Sequence, residues 1–242
     1  MRTLRTAFGL MTTLPIRLPD DWSAGDSGRA AVWYPFVGMI IGVLAWLAWS
    51  GSMLIFPPWV AAVMTLIVWV ALTGGLHLDG LADCCDGLLV STSVERRLQI
   101  MKDPHVGTFG VTGLVLLLFL KAAALASFTH TASFSIVLAA SLARFCILPA
   151  GLMQQARPSG MGADFAAGFR RSFIVWGAVI PVIIAALLGI RGAAAFLAGL
   201  VAFLLVVLFA RSRIGGVTGD VFGMTVEIVE AVVLLTFLMG TV

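Results

Sequence analysis

Residues 59–88 read WVAAVMTLIVWVALTGGLHLDGLADCCDGL: an apolar run from Trp59 to Leu76 gives way to His77 and three aspartates, Asp79, Asp83 and Asp86. The apolar part is long enough to enter a bilayer, because a core of about 30 Å takes roughly 20 helical residues, or somewhat fewer where flanking side chains reach the interface. Taken as helix at about 100° per residue, the acidic part sets Asp83 and Asp86 at roughly +40° and −20° from Asp79. The three carboxylates then share one stripe. Like charges on one helical face repel, so the stripe is stable only where cations or basic side chains lie against it. The stretch therefore predicts an apolar span that delivers a cation-binding helix face.

The rest of the chain fits the first half of that reading. Of 242 residues, 60% are hydrophobic and 11% charged, against roughly 25% charged in soluble domains. About seven apolar runs follow one another, at Pro35 to Phe56, Trp59 to Leu76, Phe109 to Phe128, Ser133 to Met153, Phe173 to Ile190, Ala193 to Ala210 and Val221 to Val242. Pro57-Pro58, Thr129 to Thr131 and Arg191-Gly192 leave very short connections. The expected fold is all-α, a polytopic integral membrane bundle of about seven transmembrane helices forming a single domain over residues 1–242.

Arg2, Arg5, Arg17, Arg29, Arg96, Arg97, Lys102, Arg157, Arg170, Arg171, Arg211 and Arg213, twelve of the fifteen basic residues, fall on one side if the runs number seven. The positive-inside rule then predicts a cytoplasmic N-terminus. The opening MRTLRTAFGLMTTLPIRLP lacks the sustained apolar centre of a cleavable signal. A net charge of +3 is read as topology and contact with the lipid bilayer, and gives no reason to expect nucleic-acid binding. Cys84, Cys85 and Cys146 suit neither a disulfide framework nor a zinc site. The seven tryptophans, mostly near run ends, read as interfacial belts. The sequence leaves a homo-oligomer open.

A second acidic group lies in GGVTGDVFGMTVEIVE, residues 215–230, where Glu227 and Glu230 are neighbours on a helix and Asp220 is about two turns above Glu227. Carboxylates are expensive near lipid and point to function. Asp79, Asp83, Asp86, Asp220, Glu227 and Glu230 are therefore expected to converge on one site. Hard oxygen ligands on a rigid face suit Mg²⁺ completed by waters and substrate phosphates. Gly215, Gly216, Thr218 and Gly219, just before a helix start, can present backbone N–H groups to phosphate. MKDPHVGTFG (101–110), with Lys102, and ARPSGMGADF (156–165), with Arg157, are further candidate anion loops. Gly38 and Gly42 fit small-xxx-small helix packing. Lys121 and Arg144, inside spans, are candidate partners of buried carboxylates. The chemistry implied is phosphoryl or phosphate-linked alcohol transfer on metal ions. A cation-coupled transporter also buries carboxylates, but it would favour midplane acids and inverted repeats.

HLDGLADCCDGL, RRLQIMKDPHVGTFGV, ARPSGMGADF and GGVTGDVFGMTVEIVE, in this order, resemble the cobalamin-5'-phosphate synthase family of adenosylcobinamide-GDP ribazoletransferases. The resemblance extends from LPIRLP and WYPFVGMIIG at the start to the last helix. It implies a Mg²⁺-dependent transferase of the bacterial cell inner membrane, with its active site toward the cytoplasm. A hydroxyl of α-ribazole, or of α-ribazole 5'-phosphate, would attack adenosylcobinamide-GDP in a late step of cobalamin biosynthesis, giving adenosylcobalamin or its 5'-phosphate and GMP. By that resemblance Asp79, Asp83 and Asp86 are the catalytic motif, with Asp83 the first candidate base. Asp220, Glu227 and Glu230 complete the metal set. His77, Lys102, Arg157, Gly216 and Thr218 are candidate substrate contacts. A partial likeness to the CDP-alcohol phosphotransferases, on Asp79-Gly80 and Ala82, departs where Asp83 replaces their arginine and where their downstream aspartate spacing is missing; it leaves, as the alternative reading, a phosphotransferase of similar chemistry acting on another nucleotide-activated substrate.

Overall fold

The computed structural model describes residues 1–16 and 21–239. Arg17, one of the basic residues used for topology, and the end of the seventh apolar run (240–242) lie outside the described residues. Among the described residues the protein is helical throughout, apart from an isolated parallel bridge between Gln155 and Val217. In chain order the helices are α1 (Arg2–Met11), α2 (Asp26–Ala30), α3 (Tyr34–Met53), α4 (Pro58–Thr73), α5 (Leu76–Leu89), α6 (Val94–Ile100) and α7 (Thr108–Ala126). They continue with α8 (His130–Ser133), α9 (Ser135–Ala150), α10 (Met161–Gly168), α11 (Ser172–Leu187), α12 (Gly189–Ile214) and α13 (Gly219–Thr236).

α9 is the axis of the bundle. It packs against α3, α11, α12 and α13, and 83% of the span that includes it is buried, as expected of a helix that is apolar on all sides. α3 approaches it through the small residues noted in the sequence. A Cβ on Gly42 would stand 2.7 Å from the Val137 Cα, and one on Gly38 would collide with the Ala140 carbonyl, so the two backbones touch. Leu116, Phe119, Val175, Leu187, Ile190 and Leu197 form an exposed apolar exterior, the surface that lipid requires.

Two sharp bends alter the expected count of spans. α4 meets α5 at 93° and α10 meets α11 at 102°. At the first bend Gly74 and Gly75 both adopt positive φ, +63° and +73°, a backbone that residues with a Cβ rarely take. TGGL thus ends one helix and turns the next across the bundle. Four helices are long and apolar enough to cross a membrane, or up to six if each bent pair makes one span, in place of the expected seven. α4 and α11 have 16 residues each, about 24 Å at 1.5 Å per residue, short of a 30 Å core. α13 carries Asp220, Glu227 and Glu230 within 18 residues, too many charges for a lipid-facing span.

The tryptophans divide. Trp22, Trp33, Trp59 and Trp176 are exposed, as an interfacial belt requires. Trp49 is fully buried and its indole donates to the Leu125 carbonyl at 3.0 Å. Trp69 is also buried, beneath the ammonium of Lys121 at 5.5 Å from the ring centroid. Cys84, Cys85 and Cys146 are buried free thiols.

Candidate active site

The site forms where α5 crosses α13, and glycine makes the crossing possible. A Cβ on Gly80 would lie 2.8 Å from the Asp220 carbonyl and 3.1 Å from the Gly223 Cα; one on Gly223 would lie 3.0 Å from the His77 carbonyl. Backbone therefore rests on backbone, and the residues flanking the contact are Asp79 on one helix and Asp220 on the other. Asp83, one turn along α5, stands within electrostatic reach of Asp220, Asp79 and Arg157. Among the described residues neither the Asp79 nor the Asp83 carboxylate makes a hydrogen bond or ion pair, so both keep their carboxylate oxygens for a ligand.

Arg157 reaches this acidic corner from the segment before α10. Its Nη1 donates to Asp220 Oδ2 at 3.1 Å and its Nη2 to the Leu98 carbonyl at 3.2 Å. The position is fixed by the short bridge: Val217 N–H donates to the Gln154 carbonyl and Ala156 N–H to the Val217 carbonyl, both at 2.9 Å. ARPSG and GGVTG, more than fifty residues apart in sequence, become one wall. Gly216 serves that pairing, because a Cβ there would strike the Gln154 carbonyl. Thr218 caps α13, accepting from Val221 N–H at 3.4 Å, and its hydroxyl donates to Asp220 Oδ2 at 3.2 Å. A recess of about 50 Å³ remains between Arg157, Gly160, Gly162, Thr218, Gly219 and Asp220.

A larger cavity of about 140 Å³ adjoins it and shares Met161, Gly219 and Asp220. Its walls include Leu10 and Met11 of α1, Ser27 of α2, Tyr34, Ile147, Phe165 and Phe222, with Asp79 and Gly80 at the acidic end. α2 and α10 are clasped together by Asp164, which accepts from Gly25 N–H at 2.7 Å and from the Ser27 hydroxyl. No motif marks this wall as an apolar pocket, although Tyr34, Phe165 and Phe222 lie within the quoted stretches. Its one visible signal was that the polar-interrupted N-terminal segment makes an amphipathic helix with Thr6, Ala7 and Met11 buried.

Other expected members of the site have different partners. Glu227 and Glu230 do not face the aspartates of α5. Both accept from Lys121 Nζ at 2.5 Å, and Glu230 also accepts from Arg144 Nη1. All four are buried. The reason is electrostatic: a carboxylate in a low-dielectric bundle must be paired, and the two basic residues inside the apolar runs supply two positive charges for two negative ones. The single six-carboxylate site expected from sequence thus separates into an open cluster and a neutralised buried quartet. Asp86 is also engaged, its carboxylate accepting from Gly107 N–H at 2.7 Å and Gly110 N–H at 2.9 Å. It thereby holds the start of α7, where helix N–H groups lack partners within the helix. The KDPHVG loop accordingly spends backbone donors on Asp86, while Asp103 is held below the usual carboxylate range by the backbone N–H and ring of His105. Lys102 stands exposed on the turn after α6, where its backbone N–H donates to the Gln99 carbonyl at 3.0 Å and its ammonium makes no hydrogen bond or ion pair among the described residues. His77 borders the large cavity, yet both ring nitrogens are buried without a hydrogen-bond partner, within electrostatic reach of Arg144, Glu230 and Lys121.

Among the described residues no three His, Cys, Asp or Glu side chains are placed to hold a metal ion between them. The donors that remain are the carboxylates of Asp79, Asp83 and Asp220. They are hard oxygen ligands of the kind Mg²⁺ uses when one or two carboxylates are completed by waters and substrate phosphates.

A model of the cobalamin-5-phosphate synthase family matches residues 3–238. The chain is similar to proteins named adenosylcobinamide-GDP ribazoletransferase in several bacteria. That of Stutzerimonas stutzeri (strain A1501) is 40% identical over 240 residues, covering 97% of this chain and 97% of the relative. That of Desulfitobacterium hafniense (strain Y51) is 35% identical over 251 residues, covering 99% and 96%. The Pseudomonas aeruginosa protein is 37% identical over 238 residues, covering 97% of each. No solved structure matches the chain.

Proposed function

Because the chain belongs to the cobalamin-5-phosphate synthase family, we propose that it joins adenosylcobinamide-GDP to α-ribazole, or to α-ribazole 5'-phosphate, with release of GMP. The observation that carries the reading is the glycine-seated crossing of α5 over α13, which gathers Asp79, Asp83, Asp220 and Arg157 beside two adjoining cavities. A phosphoryl transfer requires little covalent help from the protein; it requires positioning and charge stabilisation.

In the reaction, a hydroxyl oxygen of the nucleoside forms a bond to the phosphorus attached to cobinamide. The bond from that phosphorus to the bridging oxygen breaks, and GMP departs with the bridging oxygen. The hydroxyl proton passes to a carboxylate, for which Asp83 is the proposed base: it is half-buried, free of hydrogen bonds and one helical turn from Asp79. The Arg157 guanidinium and the first turn of α13 steady the diphosphate in the smaller recess. Mg²⁺ held by one or two of the Asp79, Asp83 and Asp220 carboxylates would neutralise charge on the phosphoryl oxygens. Asp86, Glu227 and Glu230 support these groups from outside the reacting centre.

The proposed setting is the bacterial cell inner membrane with the acidic crossing on the cytoplasmic side. It is supported by the concentration of basic residues in the connections: with each bent pair taken as one span, Arg96, Arg97, Lys102 and Arg157 fall on the same side as the N-terminus.

The test is mass spectrometry of the products after mixing pure protein, Mg²⁺ and the two precursors. Adenosylcobalamin or its 5'-phosphate should appear together with one GMP per product. Accumulation of a solute in sealed vesicles, without a new phosphodiester, would refute the reading.

A further inference from the structure

The larger cavity has a definite size and a definite chemistry. An apolar cavity of about 150 Å³ in another protein takes up benzene, so about 140 Å³ here suits a flat ring system entering from the acidic end. Leu10, Met11, Ile147, Phe165 and Phe222 make the wall, and Phe165 meets Phe222 edge-on at 5.3 Å between centroids. Two of the nearby polar groups are already committed: the Tyr34 hydroxyl donates to the Ser27 carbonyl at 2.9 Å and the Ser27 hydroxyl donates to Asp164. The imidazole of His77, whose two nitrogens are buried without a partner at the cavity's edge, is the exception. Beyond what that ring can meet, polar atoms of a ligand placed deep in the cavity would lose water and gain no partner. At the mouth stand Asp79 and Asp220, the groups at which the transfer is proposed to occur.

We propose that this cavity seats the base of the acceptor nucleoside, that it selects a planar base with few hydrogen-bonding groups, and that seating the base delivers the sugar hydroxyl to Asp79 and Asp83. The inference rests on the transferase reading above. Guanine is the competing planar ring, since the donor carries it. Its amino, imino and keto groups outnumber what the single unpartnered imidazole of His77 can satisfy among Leu10, Met11, Ile147, Phe165 and Phe222, whereas the recess at Arg157 and the start of α13 matches the diphosphate beside it.

The experiment uses the full-length protein in detergent, with Leu10→Trp and Ile147→Phe each filling the cavity from a separate helix. Size-exclusion profile and protection of the three buried cysteines show whether each variant is folded. Both variants should raise KM for α-ribazole about tenfold or more, the discrimination that one misfitted group in an apolar pocket produces. KM for adenosylcobinamide-GDP should stay within about twofold of wild type, below any misfit effect of that kind. Free benzimidazole, titrated calorimetrically, should bind wild type and lose binding in both variants. A rise in KM for adenosylcobinamide-GDP instead would place guanine in the cavity and overturn the proposal, as would unchanged constants in either folded variant. Wild-type turnover reports separately on the transferase reading: if no product forms, that reading fails, while the benzimidazole titration still decides whether the cavity takes a planar apolar ring.

Discussion

Replacing Lys121 by Met removes one of two cations from a buried quartet whose anions have no other source of charge. Glu227 loses its ammonium partner at 2.5 Å, and Glu230 keeps only Arg144. Breaking a buried pair by deleting one partner costs about 3–5 kcal/mol, because the remaining charge stays desolvated. For a chain of this size each kcal/mol moves the unfolding midpoint by about 2–4 °C. The expected loss is therefore about 6–20 °C. Cys84, Cys85 and Cys146 are all buried and free, so a thiol-reactive fluorophore added to the detergent-solubilised protein reads the transition directly. The decisive companion is the double variant Lys121→Met/Glu227→Gln, which deletes one charge of each sign and leaves the Arg144–Glu230 pair intact. It should recover at least about half of the lost stability, since the uncompensated charge is gone. It should also keep Mg²⁺-dependent turnover, which a metal ligand at Glu227 would forbid. If Lys121→Met shifted the midpoint by less than about 2 °C, or if the double variant were no more stable than the single one, the account of the quartet would be wrong.

Other expectations follow from the crossing and its neighbours. Asp83→Asn should lower turnover by about 10²–10⁴-fold, the usual contribution of a positioned general base, with an unchanged melting profile; near-normal GMP release would exclude Asp83 as base. Asp86→Asn should retain turnover within a few-fold, while Asp86→Ala should lower stability by about 0.5–2 kcal/mol through the loss of an acceptor at the start of α7, measured in the same thiol assay. Gly80→Ala places a methyl 2.8 Å from the Asp220 carbonyl and should cost about 1–3 kcal/mol as an overpacked contact, with activity falling further than stability. Arg157→Ala should raise KM for adenosylcobinamide-GDP and leave KM for α-ribazole unchanged; the reverse pattern would remove Arg157 from the diphosphate recess.

The sequence made some of this legible and hid the rest for physical reasons. Every apolar run became a helix, because burying or lipid-exposing such a run leaves the backbone no other way to satisfy its hydrogen bonds. The count of spans did not survive, because hydropathy does not register a change of direction: Gly74-Gly75 turns the chain through 93° within a continuous apolar-to-acidic stretch. The acidic stripe on α5 was visible from its spacing, and so was the small-residue face of α3. The partition of the carboxylates was not, since Asp220, Glu227 and Glu230 share a helix and only tertiary packing shows that Lys121 meets both glutamates and Arg144 meets Glu230, while neither meets Asp220. The cavity wall was the least visible of all. It draws on α1, α2 and α10 as well as α3, α9 and α13, with residues such as Leu10, Met11 and Phe165 that carry no chemistry of their own and are ordinary apolar residues until the chain brings them together.

The buried quartet has a consequence for how the enzyme can change. Glu227 lies seven residues below Asp220, about two turns of the same helix, so the charges that lock Glu227 and Glu230 to α7 and α9 also index the rotation and height of α13. A slip of one residue would swing Asp220 by about 100° and break every ion pair of the quartet at once. The register of the reacting carboxylates is thus set deep in the bundle, by side chains distinct from those that α1, α2 and α10 contribute to the cavity. A lineage could recut that lining for a different nucleoside and leave the reaction's alignment untouched.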